Sequence, residues 1–100
     1  MRIRFLDIAD EELAEAWRFY DEAGAGVADA FLVEVTDAVN RIERYPNAWQ
    51  ALRGQWRRCL LRRFPYGLIY TQTDHELLVV AVAHLHRRPN YWHDRNNDYK

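Results

Sequence analysis

The fold is decided by a stretch in the second half of the chain, which reads 57-RRCLLRRFPYGLIYTQTDHELLVVAVAHL-85. It contains three largely apolar runs, at residues 57–64, 68–73 and 76–85. Turn-forming residues separate them, PYG in one place and DH in the other. The last run is nearly unbroken and rich in Val, which predicts a central strand buried on both faces. The stretch therefore predicts three antiparallel strands joined by short turns, a meander.

The first half of the chain has the periodicity of helices. Apolar residues at helical spacing predict a first amphipathic helix of about 14 residues, capped by Asp7 or Asp10: Leu13, Ala16, Trp17 and Tyr20. AGAG at 23–26 breaks it, and a second stripe follows until Pro46: Val27, Phe31, Val35, Ala38, Ile42 and Tyr45. We expect the two helices to pack as a hairpin on one face of the meander. Residues 2–6, which alternate weakly, are expected to form a short N-terminal strand, giving an α+β fold.

Length and composition restrict the class of protein. The 100 residues suit one domain over residues 1–100, and we expect its tail, from about residue 93, to be flexible. Cys59 is the single cysteine, which excludes a disulfide framework and a Cys-based zinc site, and its apolar neighbours predict a buried thiol. No stretch approaches the roughly 20 apolar residues of a membrane span. With acids directly after the first apolar residues, the N-terminus does not read as a secretory signal, so we expect a cytoplasmic protein without a membrane partner.

Charge is divided between the two halves of the chain, although the net charge is only −1. Residues 1–50 carry five Arg and eleven acids, whereas residues 51–100 carry eight Arg, one Lys and four acids. Such a division is typical either of a surface that binds anions or of acidic helices packed beside a basic sheet. Pairing of these Arg side chains with the acidic helices is as plausible as a binding role.

Histidines are concentrated near the C-terminus, where they raise the question of a metal site. On a strand, His84 and His86 would share one face, which a metal can use. No acid or cysteine stands at ligand spacing, so we expect no metal and no cofactor. Motifs that bind phosphates, GxGxxG and GxxxxGK[ST], are also absent from the sequence.

Taken together, three segments of the second half resemble a known family. These are RRFPYGLIY at 62–70, VVAVAH at 79–84 and RRPNYW at 87–92. They resemble the ParE/RelE superfamily of bacterial toxins, and more closely its ParE-like branch. The upstream part fits as well, with Glu12-Leu13, Glu15-Ala16 and Tyr20 in the first helix, Phe31 in the second and residues 42–46 closing it.

The resemblance implies a cytoplasmic toxin of a type II toxin–antitoxin system. Its fold would be a helix hairpin on a small antiparallel sheet that the N-terminal strand joins. Its partner would be a cognate antitoxin whose C-terminal part folds over it. In such modules the antitoxin reads DNA, so we expect no sequence-specific DNA binding by this chain, and its near-neutral net charge agrees.

Among the modes of action that the resemblance implies, we expect ParE-like inhibition of DNA gyrase or of another replication target. ParE-like members poison DNA gyrase, whereas RelE-like members are endoribonucleases that cleave messenger RNA on the ribosome. For an endoribonuclease the candidate catalytic residues are Arg63, His84, His86 and Arg87, but Gly67 stands where many ribonuclease members carry an Arg. A third alternative is a non-toxic paralogue that only binds its antitoxin. The residues expected to face a partner or target are Trp17, Arg62, Arg88, Tyr91 and Trp92.

Overall fold

The computed structural model of the protein describes residues 1–95. Within them the chain forms β1 (Arg2–Phe5), α1 (Asp7–Ala23), α2 (Val27–Arg44), β2 (Gln50–Ala51), β3 (Arg57–Leu60), β4 (Tyr66–Gln72) and β5 (Glu76–His84). The predicted α+β order, with an N-terminal strand, a helix hairpin and a meander, is confirmed. The tail from about residue 93 was expected to be flexible. Its residues 96–100 lie outside the described residues.

The strands form one mixed sheet in the order β1-β5-β4-β3-β2. Strands β3, β4 and β5 are the predicted antiparallel meander. Strand β1 adds to it in parallel, with Arg2 opposite Glu76 and Phe5 opposite Val79. Strand β5 lies between two neighbours, and residues 77–83 are all buried, which confirms the prediction of a strand covered on both faces. Strand β2 was not predicted, because two residues are too few to show an alternating pattern.

Aromatic side chains fill the space between the helix hairpin and the sheet. Tyr20 of α1 lies 4.8 Å from Phe64, and Phe31 of α2 lies 5.5 Å from Tyr66, between ring centroids. Phe31 is fully buried. Edge-to-face pairs of this kind stabilise a core beyond the area that they bury. They hold α1 and α2 on the face of β4 that carries Tyr66.

Several local boundaries differ from the sequence-based predictions. Strand β4 begins at Tyr66, so Tyr66 and Gly67 belong to the strand and not to the predicted turn. Helix α1 is 17 residues long, and its N-cap is Leu6, without a side-chain hydrogen bond. Asp7 and Asp10 lie in the first turn, where carboxylates stabilise the positive end of the helix. Strand β3 ends at Leu60 and not at residue 64, and β5 ends at His84, so His86 lies beyond the strand.

In the described part of the chain, neither helix is both long enough and apolar enough to traverse a lipid bilayer.

Candidate functional site

Three of the four candidate catalytic residues lie together on the turn that follows β5. The backbone N–H of His86 donates to Nδ1 of His84 at 3.0 Å, and the backbone N–H of Arg87 donates to the His84 carbonyl at 3.0 Å. The rings of His84 and His86 are 5.1 Å apart between centroids. The turn therefore presents two imidazoles and one guanidinium as a compact group.

The fourth candidate, Arg63, is held elsewhere by a buried carboxylate of α2. Its Nε donates to Glu34 Oε2 at 2.9 Å. The backbone N–H groups of Arg62 and Arg63 donate to Glu34 Oε1 at 2.7 and 2.9 Å. Burial raises the pKa of Glu34, but these N–H donors and the Arg63 charge outweigh it and hold the pKa below its usual range. The same bonds turn Arg62 and Arg63 towards α2, which is why the strand stops at Leu60.

Tyr66, which sequence reasoning did not single out, lies beside the turn after β5. Its ring meets the His84 imidazole edge-on at 5.0 Å between centroids. Burial raises the pKa of Tyr66, and the neighbouring Tyr20, Glu15 and Glu12 raise it further, so the phenol keeps its proton. A cleft between α1 and the ends of β4 and β5 brings these groups together, lined among others by Glu12, Glu15, Phe19, Tyr66, His84 and Arg87. It combines a hydroxyl donor, an imidazole and a guanidinium with two carboxylates, which is a set suited to proton transfer.

Glu12 of α1 joins this cleft to the C-terminal segment. Its carboxylate accepts hydrogen bonds from the Tyr91 hydroxyl at 2.8 Å and from the Arg95 guanidinium at 2.9 and 3.1 Å. It also accepts the backbone N–H of Val82 at 3.0 Å, at the edge of β5 that extends past β1. Burial and the bond to Glu12 raise the pKa of Tyr91 far above its usual range. The carboxylate thus covers part of a strand edge and holds the segment that follows.

Arg87 occupies the rim of the same cleft. Its guanidinium carbon lies 4.0 Å from the centroid of the Tyr91 ring, and its Nη1 lies 4.0 Å from Glu12 Oε2. A guanidinium over an aromatic face is a favourable cation–π arrangement. Arg87 is therefore oriented by two partners while more than half of its side chain stays exposed.

The residues expected to face a partner are divided between surface and core. Arg62 and Arg88 are exposed. Trp17 is half-buried and lines an open apolar trough on the helix hairpin with Leu13 and Leu32. Tyr91 is half-buried against Glu12, and Trp92 is only 6% exposed and belongs to the core.

The thiol of Cys59 is fully buried, as predicted. Burial raises its pKa, although Arg41 and Arg62 oppose this, so the group is protonated and inert at neutral pH.

Glu12 and Glu34 are the functional carboxylates that sequence reasoning missed. Both stand on the apolar stripe of their helix: Glu12 is three residues after the buried Ala9, and Glu34 is three residues after Phe31. A carboxylate at a core-facing position must be hydrogen-bonded or paired. That position in the stripe was the signal available in the sequence.

Comparison with known proteins identifies the class to which this fold and site belong. The family described as "ParE toxin of type II toxin-antitoxin system, parDE" matches residues 3–90. A solved structure, "Chromosomal ParDE TA system from P. aeruginosa", contains a chain that superposes with a TM-score of 0.62 at 14% identity, covering 85% of this chain and 96% of that one. The fold is therefore that of a toxin from a type II toxin–antitoxin system.

Curated relatives agree with this class. "Toxin ParE2" of Mycobacterium tuberculosis, from strains CDC 1551 / Oshkosh and ATCC 25618 / H37Rv, is 33% identical over 90 residues, which is 89% of this chain and 86% of the relative. The chain belongs to the ParE toxin family.

Proposed function

We propose that this toxin acts in the cytoplasm by binding DNA gyrase, or another protein of the replication machinery, and does not cleave RNA. The observation that carries the proposal is the pairing of Arg63 with Glu34. Cleavage of RNA needs positive charge at the scissile phosphate beside a group that moves the 2′-hydroxyl proton. Arg63, the candidate for replacing the charge missing at Gly67, has its Nε bonded to the Glu34 carboxylate, which offsets its charge although the side chain itself is exposed.

The cognate antitoxin, in this proposal, neutralises the toxin by covering the helix hairpin. The trough beside Trp17 is floored by Leu13 and Leu32, and Val33 next to it is 59% exposed. Asp10 and Arg18 at its rim supply one charge of each sign. An amphipathic helix that carries apolar residues at i, i+3, i+4 and i+7 fits a surface of this kind.

A second candidate, a ribosome-dependent endoribonuclease, is favoured by one specific observation. His84, His86 and Arg87 are bonded into one turn, and the Tyr66 ring contacts His84. An imidazole beside a protonated phenol and a guanidinium can move a proton and stabilise a phosphate charge without Arg63. The experiment must therefore remove the imidazoles.

The test is bacterial growth after induction of the double variant His84→Ala/His86→Ala. We expect colony counts to fall as much as with the parent chain, because gyrase binding does not need the imidazoles. The matched control is His75→Ala/His93→Ala, which removes two histidines outside the turn. Circular dichroism establishes that each variant folds.

Two outcomes would contradict the proposal. Loss of killing in the folded His84→Ala/His86→Ala variant, together with transcript cleavage by the parent, would establish the ribonuclease. Unchanged growth with well-expressed parent chain would favour the non-toxic, antitoxin-binding alternative. Co-purification with the product of the neighbouring small reading frame tests the antitoxin separately, since binding does not require toxicity.

A further inference from the structure

The sheet face opposite the helix hairpin carries a cleft of its own. Tyr66 packs against the helices, so Leu68 shares their face and Ile69 points to the other. Arg58 is opposite Ile69 in the sheet register, and Ala81 is opposite Ile69 on the other side. The cleft on this face is lined by Arg58 and Ile69, and also by Leu52, Ala83 and Trp92.

Two of the residues that line this cleft each have a buried N–H donor without an acceptor within the described residues 1–95. One is Nε1 of Trp92 and the other is Nε of Arg58. Trp92 as a whole is 94% buried, given its 6% exposure. A buried donor without a partner destabilises a protein, so an acceptor that reached these two donors would be bound favourably.

The fold holds Arg58 in place over the cleft. Its Nη2 donates to Gln50 Oε1 of β2 at 2.8 Å. Its stem lies on Gly67, where an added Cβ would come within 3.0 Å of Arg58 Cγ. Because Gly67 has no side chain, it leaves room for the Arg58 stem. Gly67 contacts the stem and Gln50 binds the guanidinium, so both parts of the Arg58 side chain are held in place.

The charge of the lining has one sign. Arg58 and Arg87 are cationic, and Arg87 is shared with the cleft beside α1, where its Nη1 lies 4.0 Å from Glu12 Oε2. No carboxylate is among the described residues that line the cleft over Arg58. Leu52 and Ile69 add an apolar wall. A small pocket with oriented donors, positive charge and an apolar wall is typical of a site for a specific ligand.

We propose that this cleft binds an anionic oxygen group, carboxylate or phosphate, on a small apolar body. The indole N–H of Trp92 and the Arg58 guanidinium donate to the oxygens, because charge-assisted bonds to such groups are the strong ones. Arg87 adds positive charge at the rim, and the apolar body lies against Leu52 and Ile69. His84 and Arg87 also line this cleft, so the site adjoins the candidate catalytic residues, but the proposal applies to either mode of toxicity.

The test is an NMR titration of the indole N–H resonances with inorganic phosphate and, separately, with benzoate, at constant ionic strength. We expect the Trp92 resonance, assigned with Trp92→Phe, to shift in a saturable way with at least one probe. Tighter binding of phosphate identifies the oxygen group of the ligand as a phosphate, and tighter binding of benzoate identifies it as a carboxylate. The Trp49 resonance is an internal control, since its Nε1 already donates to the Arg41 carbonyl at 3.1 Å, and it should not move.

The variant Arg58→Met keeps the stem and removes the guanidinium, and should weaken binding of the probe about tenfold or more. Arg53→Met, at an exposed residue outside the cleft lining, is the matched control and should bind like the parent. Three results would overturn the proposal: no shift with either probe, parallel shifts of all indole resonances, or undiminished binding by Arg58→Met. The titration of the parent chain decides the question even if a variant does not fold.

Discussion

Two segments that follow strands, residues 61–65 after β3 and residues 85–95 after β5, are each tied to a helix by one glutamate. Glu34 receives two backbone N–H groups and one guanidinium from the first segment. Glu12 receives a phenol and a guanidinium from the second, and its backbone bond comes from Val82 within β5. Glu34 thus determines the path of the backbone itself, whereas Glu12 holds its segment through side chains. A glutamate on the apolar stripe of α2 therefore fixes the path of the backbone, whereas a glutamate on the apolar stripe of α1 orients side chains of the candidate site.

Replacing Glu34 is the strongest way to break this comparison. Glu34→Ala should lower the free energy of unfolding by about 3 kcal/mol, because two backbone N–H groups lose a charged, buried acceptor. The exposed Arg63 side chain contributes little to this loss. Urea denaturation followed by circular dichroism measures it. Asp37→Ala, an exposed acid on the same helix, should change stability by less than about 0.5 kcal/mol, and an equal effect of both variants would refute the role given to Glu34.

Replacing Glu12 should have a smaller and more local effect. Glu12→Ala should lower the free energy of unfolding by about 1–2 kcal/mol, because the C-terminal segment can open without disrupting the sheet. Hydrogen exchange should accelerate at the Val82 amide far more than at amides in the middle of β4. Glu11→Ala, at an exposed neighbour on α1, serves as the control. Uniform acceleration across the sheet would show that Glu12 supports the whole fold in the way Glu34 does.

The smallest expected effect is on the pH dependence of stability, and it tests whether Glu34 acts through its charge. Its pKa is lowered in the folded state, so its charge stabilises the fold above the unfolded-state pKa of about 4.3. This contribution is lost as the pH falls through the folded-state pKa. The stability difference between the parent and Glu34→Gln should therefore be constant near neutral pH and become smaller below about pH 4.3. A difference that stays constant down to acid unfolding would contradict the assignment of a charged carboxylate.

Prediction from the sequence succeeded where periodicity carries the information. The helix stripes through Tyr20 and Phe31, the break at AGAG and the apolar run of β5 were enough for the order of elements. Prediction failed where a single side chain overrides the strand pattern. Glu34 binds the backbone N–H groups of Arg62 and Arg63, and β3 ends at Leu60 before them. The convergence of Glu12 with Tyr91 and Arg95 joins residues about 80 positions apart, and helical or strand periodicity reports only on near neighbours. The contact of Arg58 with Gly67, which lies on the neighbouring strand, could not be predicted for the same reason.

The parallel pairing of β1 with β5 has a consequence for how the toxin folds during its synthesis. Residues 2–5 come early in the chain, yet their partners in the sheet are residues 76–79. Proteins whose contacts join distant parts of the chain fold slowly, and here β1 has no strand to pair with until residues 76–79 have been synthesised. The sheet of the toxin therefore cannot be completed before β5 is made.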